Sequence, residues 1–144
     1  MNLKILLIED QDYLRQSLLT MLIAEGYDVV GAEDGSIGVD LALTEDPDIV
    51  ICDLRMPRLN GDQVLDILRH DPITQQLPFI CISSDDRTVA PAPVQELGND
   101  NFLQKPFSRL DLLKAIQQQL RYKLTSRQFH YANTAKVQPQ NCAC

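Results

Sequence analysis

Four short runs carry chemistry at their ends. Glu9 and Asp10 follow the run 3–8, Asp53 follows 49–52, Ser83 completes FICIS from Phe79, and Lys105 follows NFLQ from Asn101. If the first and third runs are neighbouring strands, Glu9, Asp10 and Asp53 converge within a few ångströms, and like charges at that separation repel unless a proton or a cation joins them. Mg²⁺ suits the place: it is a hard octahedral ion that accepts one or two carboxylates, keeps several waters and readily takes a phosphate oxygen. Mn²⁺ is the alternative ion. Lys105 adds a compact positive charge of the kind that meets a phosphoryl group, and the Ser83 hydroxyl can donate to another phosphoryl oxygen.

Such a cluster needs strands that end together, and the chain supplies them. LKILLI at 3–8 is almost wholly apolar, as a strand covered on both faces must be. Leu14, Leu18, Leu19, Leu22 and Ile23 then recur at helical spacing, with Asp12 expected as the N-cap and Gly26 as the stop. Tyr27–Gly31 reads as a short edge strand, and Gly35 opens a second helix that ends at Glu45-Asp46-Pro47. IVIC at 49–52 is the third strand. A loop with Pro57 and Gly61 leads into a helix through Val64, Leu65, Ile67 and Leu68, stopped near His70-Asp71-Pro72. FICIS and NFLQ are strands four and five, and a last helix starts near Ser108 with Leu112, Leu113, Ile116 and Leu120 inward. Strand and helix alternate five times, which predicts an α/β fold with right-handed crossovers, a parallel sheet and helices on both faces. One segment resists the pattern: Pro91 and Pro93 in TVAPAPVQELG each remove an amide donor, so the fourth helix should be broken or late-starting.

The 144 residues suit one domain, with 44% hydrophobic and 23% charged content. The net charge of −7 divides unevenly: residues 1–120 carry −11 and residues 121–144 carry +4. That acidity argues against a surface built to grip nucleic acid. Cys52 and Cys81 sit inside apolar runs and read as buried thiols, and the four cysteines lack zinc-ligand spacing. No run approaches 18 apolar residues and no secretory signal opens the chain, so a cytoplasmic protein without membrane insertion is expected. Gly31, Gly35 and Gly38 do not make the dinucleotide-binding spacing. His70 and His130 read as exposed polar residues, and Gly61 as a provider of space at a helix start.

In combination, ILLIED at 5–10, DLRMPRLNG at 53–61, CISS at 81–84 and FLQKPF at 102–107 resemble the response-regulator receiver domain of two-component signalling, in the style of the chemotaxis-type single-domain regulators. The resemblance covers residues 3 to about 120. It implies a flavodoxin-like, doubly wound (βα)5 fold with strand order 2-1-3-4-5. It further implies that Glu9 and Asp10 anchor Mg²⁺, Asp10 more directly, that Asp53 is the phosphoacceptor and a ligand, and that the Arg55 backbone carbonyl completes the protein's share of the metal shell. Ser83 matches the family's hydroxyl, Phe102 its switch aromatic, and Lys105 its lysine before a proline commonly joined by a cis bond. The donor would be a sensor histidine kinase or phosphotransfer protein, the output a contact with a separate target protein, with homodimerisation an open alternative. Self-catalysed phosphotransfer and slow autodephosphorylation are implied, without conventional turnover.

Other readings compete with this one. A Mg²⁺ phosphohydrolase with an aspartyl nucleophile needs a second acid two positions later, where this chain has Arg55. A phosphorylation-independent scaffold, or the receiver part of a truncated multidomain regulator, are the remaining alternatives. Ser84-Asp85-Asp86 is expected to add negative charge beside the site, with consequences for dephosphorylation or partner access. The receiver is expected over 1–121, and a basic extension over 122–144 that continues helix five to about Arg127 before becoming disordered. At that length it cannot hold a helix-turn-helix output module, so direct DNA binding is disfavoured.

Overall fold

The computed structural model describes residues 2–121. Strands β1 (Lys4–Ile8), β2 (Asp28–Ala32), β3 (Ile49–Asp53), β4 (Phe79–Ser83) and β5 (Phe102–Gln104) alternate with helices α1 (Asp12–Ala24), α2 (Gly35–Thr44), α3 (Gly61–Arg69), α4 (Ala92–Gln95) and α5 over 109–121. The strands pair in parallel in the order β2-β1-β3-β4-β5. This is the doubly wound topology that the alternating pattern and the resemblance predict.

Alternation along each central strand decides which helix covers which face. Leu6, Ile8, Val50, Cys52, Phe79 and Cys81 point to one side and pack with Ala42 of α2, Val64, Leu65 and Leu68 of α3, and Val94 of α4. Ile5, Leu7, Ile49, Ile51, Ile80 and Ile82 point to the other and pack with Leu18 and Leu22 of α1 and Leu112, Ala115, Ile116 and Leu120 of α5. Every residue of β3 and β4 is buried. Full burial explains why these strands read as unbroken apolar runs, and parallel pairing brings their carboxyl ends to one edge.

Several boundaries differ from the sequence expectation for local reasons. Helix α1 has Gln11, not Asp12, at its N-cap, because the Asp12 carboxylate turns to the Arg15 guanidinium at 2.5 Å. Gly26 ends the helix as expected, with φ +96°, a region that favours glycine. Strand β2 lies one residue later than expected, at the edge of the sheet. Asn101 belongs to a tight turn rather than to β5, and its side-chain amide donates to the Phe79 carbonyl at 3.0 Å, joining the sheet by side chain instead of backbone. Helix α5 is capped reciprocally: Ser108 Oγ accepts from the Asp111 amide and Asp111 Oδ2 accepts from the Ser108 amide.

The fourth helix is broken, as the prolines require. A single turn of tight helix at Arg87–Val89 precedes a four-residue α4 with Pro91 at its N-cap. Pro93 falls in the first turn, where its missing donor costs little. The Arg87 guanidinium supplies hydrogen bonds the segment lacks, donating to the carbonyls of Gln95 and Leu97 and to Asn99 Oδ1. Among the described residues no helix is long and apolar enough to cross a membrane. The expected continuation of α5 to Arg127, His130, Cys142 and Cys144 lie outside the described residues.

Candidate functional site

Pairing of β1 with β3 sets Ile8 beside Cys52, so the next residues, Glu9 and Asp53, leave the sheet side by side. Ligand oxygens of Glu9, Asp10 and Asp53 all lie within 4.8 Å of one another. Pairing of β3 with β4 places Asp53 opposite Ile82, and pairing of β4 with β5 places Ser83 opposite Gln104. The Lys105 amide donates to the Ser83 carbonyl at 2.7 Å, and the Lys105–Pro106 bond is cis, as the resemblance implies. From there the Lys105 ammonium reaches Asp53 Oδ2 at 3.1 Å and stands 3.7 Å from Glu9 Oε2. The tertiary fold thus joins groups 96 positions apart in the chain.

Burial sharpens the electrostatics. The Asp53 side chain is 7% exposed and Glu9 is fully buried. Burial first, then the neighbouring Asp53 carboxylate, pushes the Glu9 carboxyl up to about 8, against the lowering effects of the Gln11 amide and Lys105. Glu9 Oε1 accepts from the Gln11 amide at 3.2 Å. Its Oε2 is buried without a hydrogen-bond partner, the Lys105 nitrogen being too distant for one. A buried acceptor left open, flanked by two further carboxylates, is a donor set deficient in positive charge. Oxygens on one Mg²⁺ are separated by roughly 3–4 Å given bonds of about 2.0–2.1 Å, so the three carboxylates fit that ion after small adjustments.

The loops that frame the cluster are tightly built. Arg55 sends its amide to Asp53 Oδ1 at 3.3 Å, and Gly61 sends its amide to the Leu54 carbonyl at 2.8 Å. A side-chain carbon on Gly61 would lie 2.4 Å from the Asp53 carbonyl oxygen and 2.8 Å from Leu54 Cα. The space expected at this helix start is therefore filled by the Asp53 strand end itself. Ser83 is fully buried, and its Oγ accepts from the Asp85 amide at 3.0 Å. Phe102 lies opposite Cys81 in the β4–β5 register and packs, half-buried, against the face lined by α2, α3 and α4. His70 is exposed, well away from this cluster, and paired with Asp66.

One contact at the site lies beyond the sequence expectations. Arg55 Nε donates to Asp85 Oδ2, an ion pair joining the loop after β3 to the loop after β4. The sequence expectation of added negative charge from Asp85 at the site is offset by Arg55. The available signal was positional: opposite charges stand two residues beyond Asp53 and two beyond Ser83, and adjacent parallel strands bring such positions together.

Comparison with known proteins gives a consistent picture. The family model described as the response regulator receiver domain matches residues 5–117. Protein PilG of Pseudomonas aeruginosa is 34% identical over 116 residues, covering 81% of this chain and 86% of its own. Among solved structures, the chemotaxis protein CheY4 of Vibrio cholerae superposes with a TM-score of 0.73 at 26% identity, covering 82% of this chain and 98% of that one. The receiver domain of a sensor histidine kinase from Pseudomonas aeruginosa, solved with a magnesium ion coordinated in its active-site cleft, gives 0.75 at 26% identity, covering 83% and 98%.

Proposed function

This chain belongs to the response regulator receiver domain family, and from that premise we propose that Asp53 accepts a phosphoryl group from a histidine kinase or phosphotransfer protein and that the chain signals by contact with a separate target protein. The observation that carries the reading is the convergence of Glu9, Asp10 and Lys105 on the nearly buried Asp53 carboxylate. Glu9, Asp10, Asp53 and the Arg55 carbonyl would hold Mg²⁺, which when bound supplies Lewis-acid neutralisation of phosphoryl oxygens.

The chain's own residues do the rest. An Asp53 oxygen forms the new bond to phosphorus as the phosphorus–nitrogen bond of the donor breaks, and the imidazole leaves with the electron pair and takes a proton. Lys105, fixed beside Oδ2, offsets charge that builds on the equatorial oxygens. Ser83 then turns its hydroxyl to the phosphoryl group and the Ser83 loop moves toward Asp53. The space it leaves admits Phe102, which biases the surface formed by α4, β5 and α5. With no hydroxyl, Phe102 swings without donating a hydrogen bond. Water attacking phosphorus returns the carboxylate and resets the switch.

We assign the receiver to residues 1–121, a basic extension to 122–144, and the cytoplasm as the compartment. The test is incubation with Mg²⁺ and acetyl phosphate, followed by intact mass and a partner pull-down, with Asp53→Asn as control. One phosphoryl group gained by the parent and none by D53N supports the reading. No gain at Asp53 overturns it, and equal partner capture by D53N points to a phosphorylation-independent scaffold.

A further inference from the structure

We propose that the groove between α3 and α4 is the docking place of this chain's own basic segment 122–131. The inference is independent of the phosphoacceptor reading of Asp53. Two adjoining hollows of about 480 and 430 Å³ share Asp66 and Pro93 as walls and run between the two helices. Leu59, Leu65, Ile67, Pro93 and Leu97 give them an apolar lining, and Ile67 is 42% exposed. Their charge is acidic, from Asp62 and Asp66 on α3 and Glu96 just after α4. Among the described residues Asp62 and Glu96 have no ion-pair partner. The basic groups in the lining are engaged already: half-buried Arg69 donates to the Leu77 carbonyl at 2.7 Å, and His70 faces Asp66.

The segment YKLTSRQFHY at 122–131, outside the described residues, has the complementary chemistry: Lys123 and Arg127 without an acid, and Tyr122, Leu124, Phe129 and Tyr131 for the apolar lining. It also starts beside the groove. Gln119, in the last turns of α5, donates to Asn101 Oδ1 at 3.2 Å. That same oxygen stands 3.2 Å from where a side-chain carbon on Gly98 would lie, and Gly98 follows Leu97 of the groove. Ten extended residues reach roughly 33–36 Å, against about 14 Å for the nine residues of α3, so the segment is long enough to enter the groove and follow it. Each surface charge pair is weak, but a tethered segment meets the groove at an effective concentration on the order of mM. Tethering favours this segment over a separate basic peptide, which has no such help. Docked there, it covers Ala92, Pro93 and Glu96 and withholds that side of α4 from other proteins.

The experiment uses the full chain carrying Arg127→Lys, which keeps the charge and adds a reactive amine. It is mixed in equal parts with a heavy-isotope copy, joined by a water-soluble carbodiimide and read by peptide mass mapping. We expect the amine at position 127 to be linked to Asp62 or Asp66, with both peptides of a linked pair carrying the same isotope. Adding Lys123→Glu should cut the yield about three- to fivefold, as should salt near about 1 M, where charges are screened within about 3 Å. Reversing both sides tests complementarity: Lys123→Glu with Arg127→Glu in the tail, combined with Asp66→Lys and Glu96→Lys in the groove, should restore a link of opposite polarity.

Absence of a link from position 127 to Asp62 or Asp66 overturns the docking. Links found only between light and heavy chains also overturn it, since they give the groove to a second copy. A link whose yield ignores both Lys123→Glu and salt reports nearness without recognition and overturns it as well. Should the groove variants melt early, the tail substitutions, which alter no described residue, decide the matter by themselves.

Discussion

The Lys105 ammonium stands 3.1 Å from Asp53 Oδ2, although 52 residues separate the two in the chain. Being also 3.7 Å from Glu9 Oε2, it offsets two of the three clustered carboxylates and competes for their charge with any cation that enters.

Lys105→Gln separates these two roles. A unit charge at about 4 Å is worth about 4 kcal/mol at an effective dielectric near 20 before relaxation, so removing it should tighten Mg²⁺ binding by about tenfold or more in calorimetric titration. The same variant should gain the phosphoryl group from acetyl phosphate about 10²–10³-fold more slowly, the usual loss when one donor to a developing anion is removed. Weaker Mg²⁺ binding would show that Lys105 organises the carboxylates instead of competing for them.

Glu9 gives a pH dependence whose sign is fixed by its burial. Its folded pKa of about 8 exceeds the ordinary 4.5, so between those values the folded protein binds more protons than the unfolded chain, and stability falls as pH rises. The contribution is complete below 4.5 and lost as pH climbs through 8. Metal-free protein should therefore melt at a lower temperature at pH 8.5 than at pH 6 by a margin that Glu9→Gln reduces. Mg²⁺ affinity should rise over the same window, because the ion displaces the proton. An identical pH slope in E9Q would assign the effect to other groups.

Gly61→Ala tests the packing under the acceptor. The added carbon meets backbone, not a flexible side-chain end, with the Asp53 carbonyl oxygen at 2.4 Å. We expect a loss of about 1–3 kcal/mol in urea unfolding, the usual range for overpacking, together with slower phosphoryl gain as the end of β3 shifts. A variant as stable and as fast as the parent would mean that α3 moves away freely.

The two core thiols should be inert. Burial pushes the Cys52 thiol well above its ordinary 9 and the Cys81 thiol up to about 12, and it is the thiolate that reacts. At pH 8, iodoacetamide should leave both unmodified in the native protein and label both in denaturant, as peptide mass mapping would read. Native labelling of Cys52 would reveal local opening of the sheet beneath Asp53.

Much of this molecule was legible before any coordinates. β3 and β4 announce themselves because strands buried on both faces must be apolar throughout, and the prolines at 91 and 93 announce a broken α4 because a missing amide is missing in any context. Asp12 misled because a helix cap is a competition, and the nearby Arg15 guanidinium won its carboxylate. Asn101 misled because its amide side chain takes a hydrogen bond that a strand residue would make with its backbone.

By itself the sequence determined the elements, their order, and the placing of Glu9, Asp10, Asp53, Ser83 and Lys105 at strand ends, since local periodicity and backbone chemistry act over a few residues. Only the tertiary structure decided which carboxylate is sealed from water, that Lys105 serves Asp53 and Glu9 together, that Gly61 abuts the acceptor's own carbonyl, and that Arg55 meets Asp85. Those relationships depend on sheet register and on loop paths converging from distant parts of the chain. Burial and charge pairing are properties of that convergence, and no window along the sequence contains them.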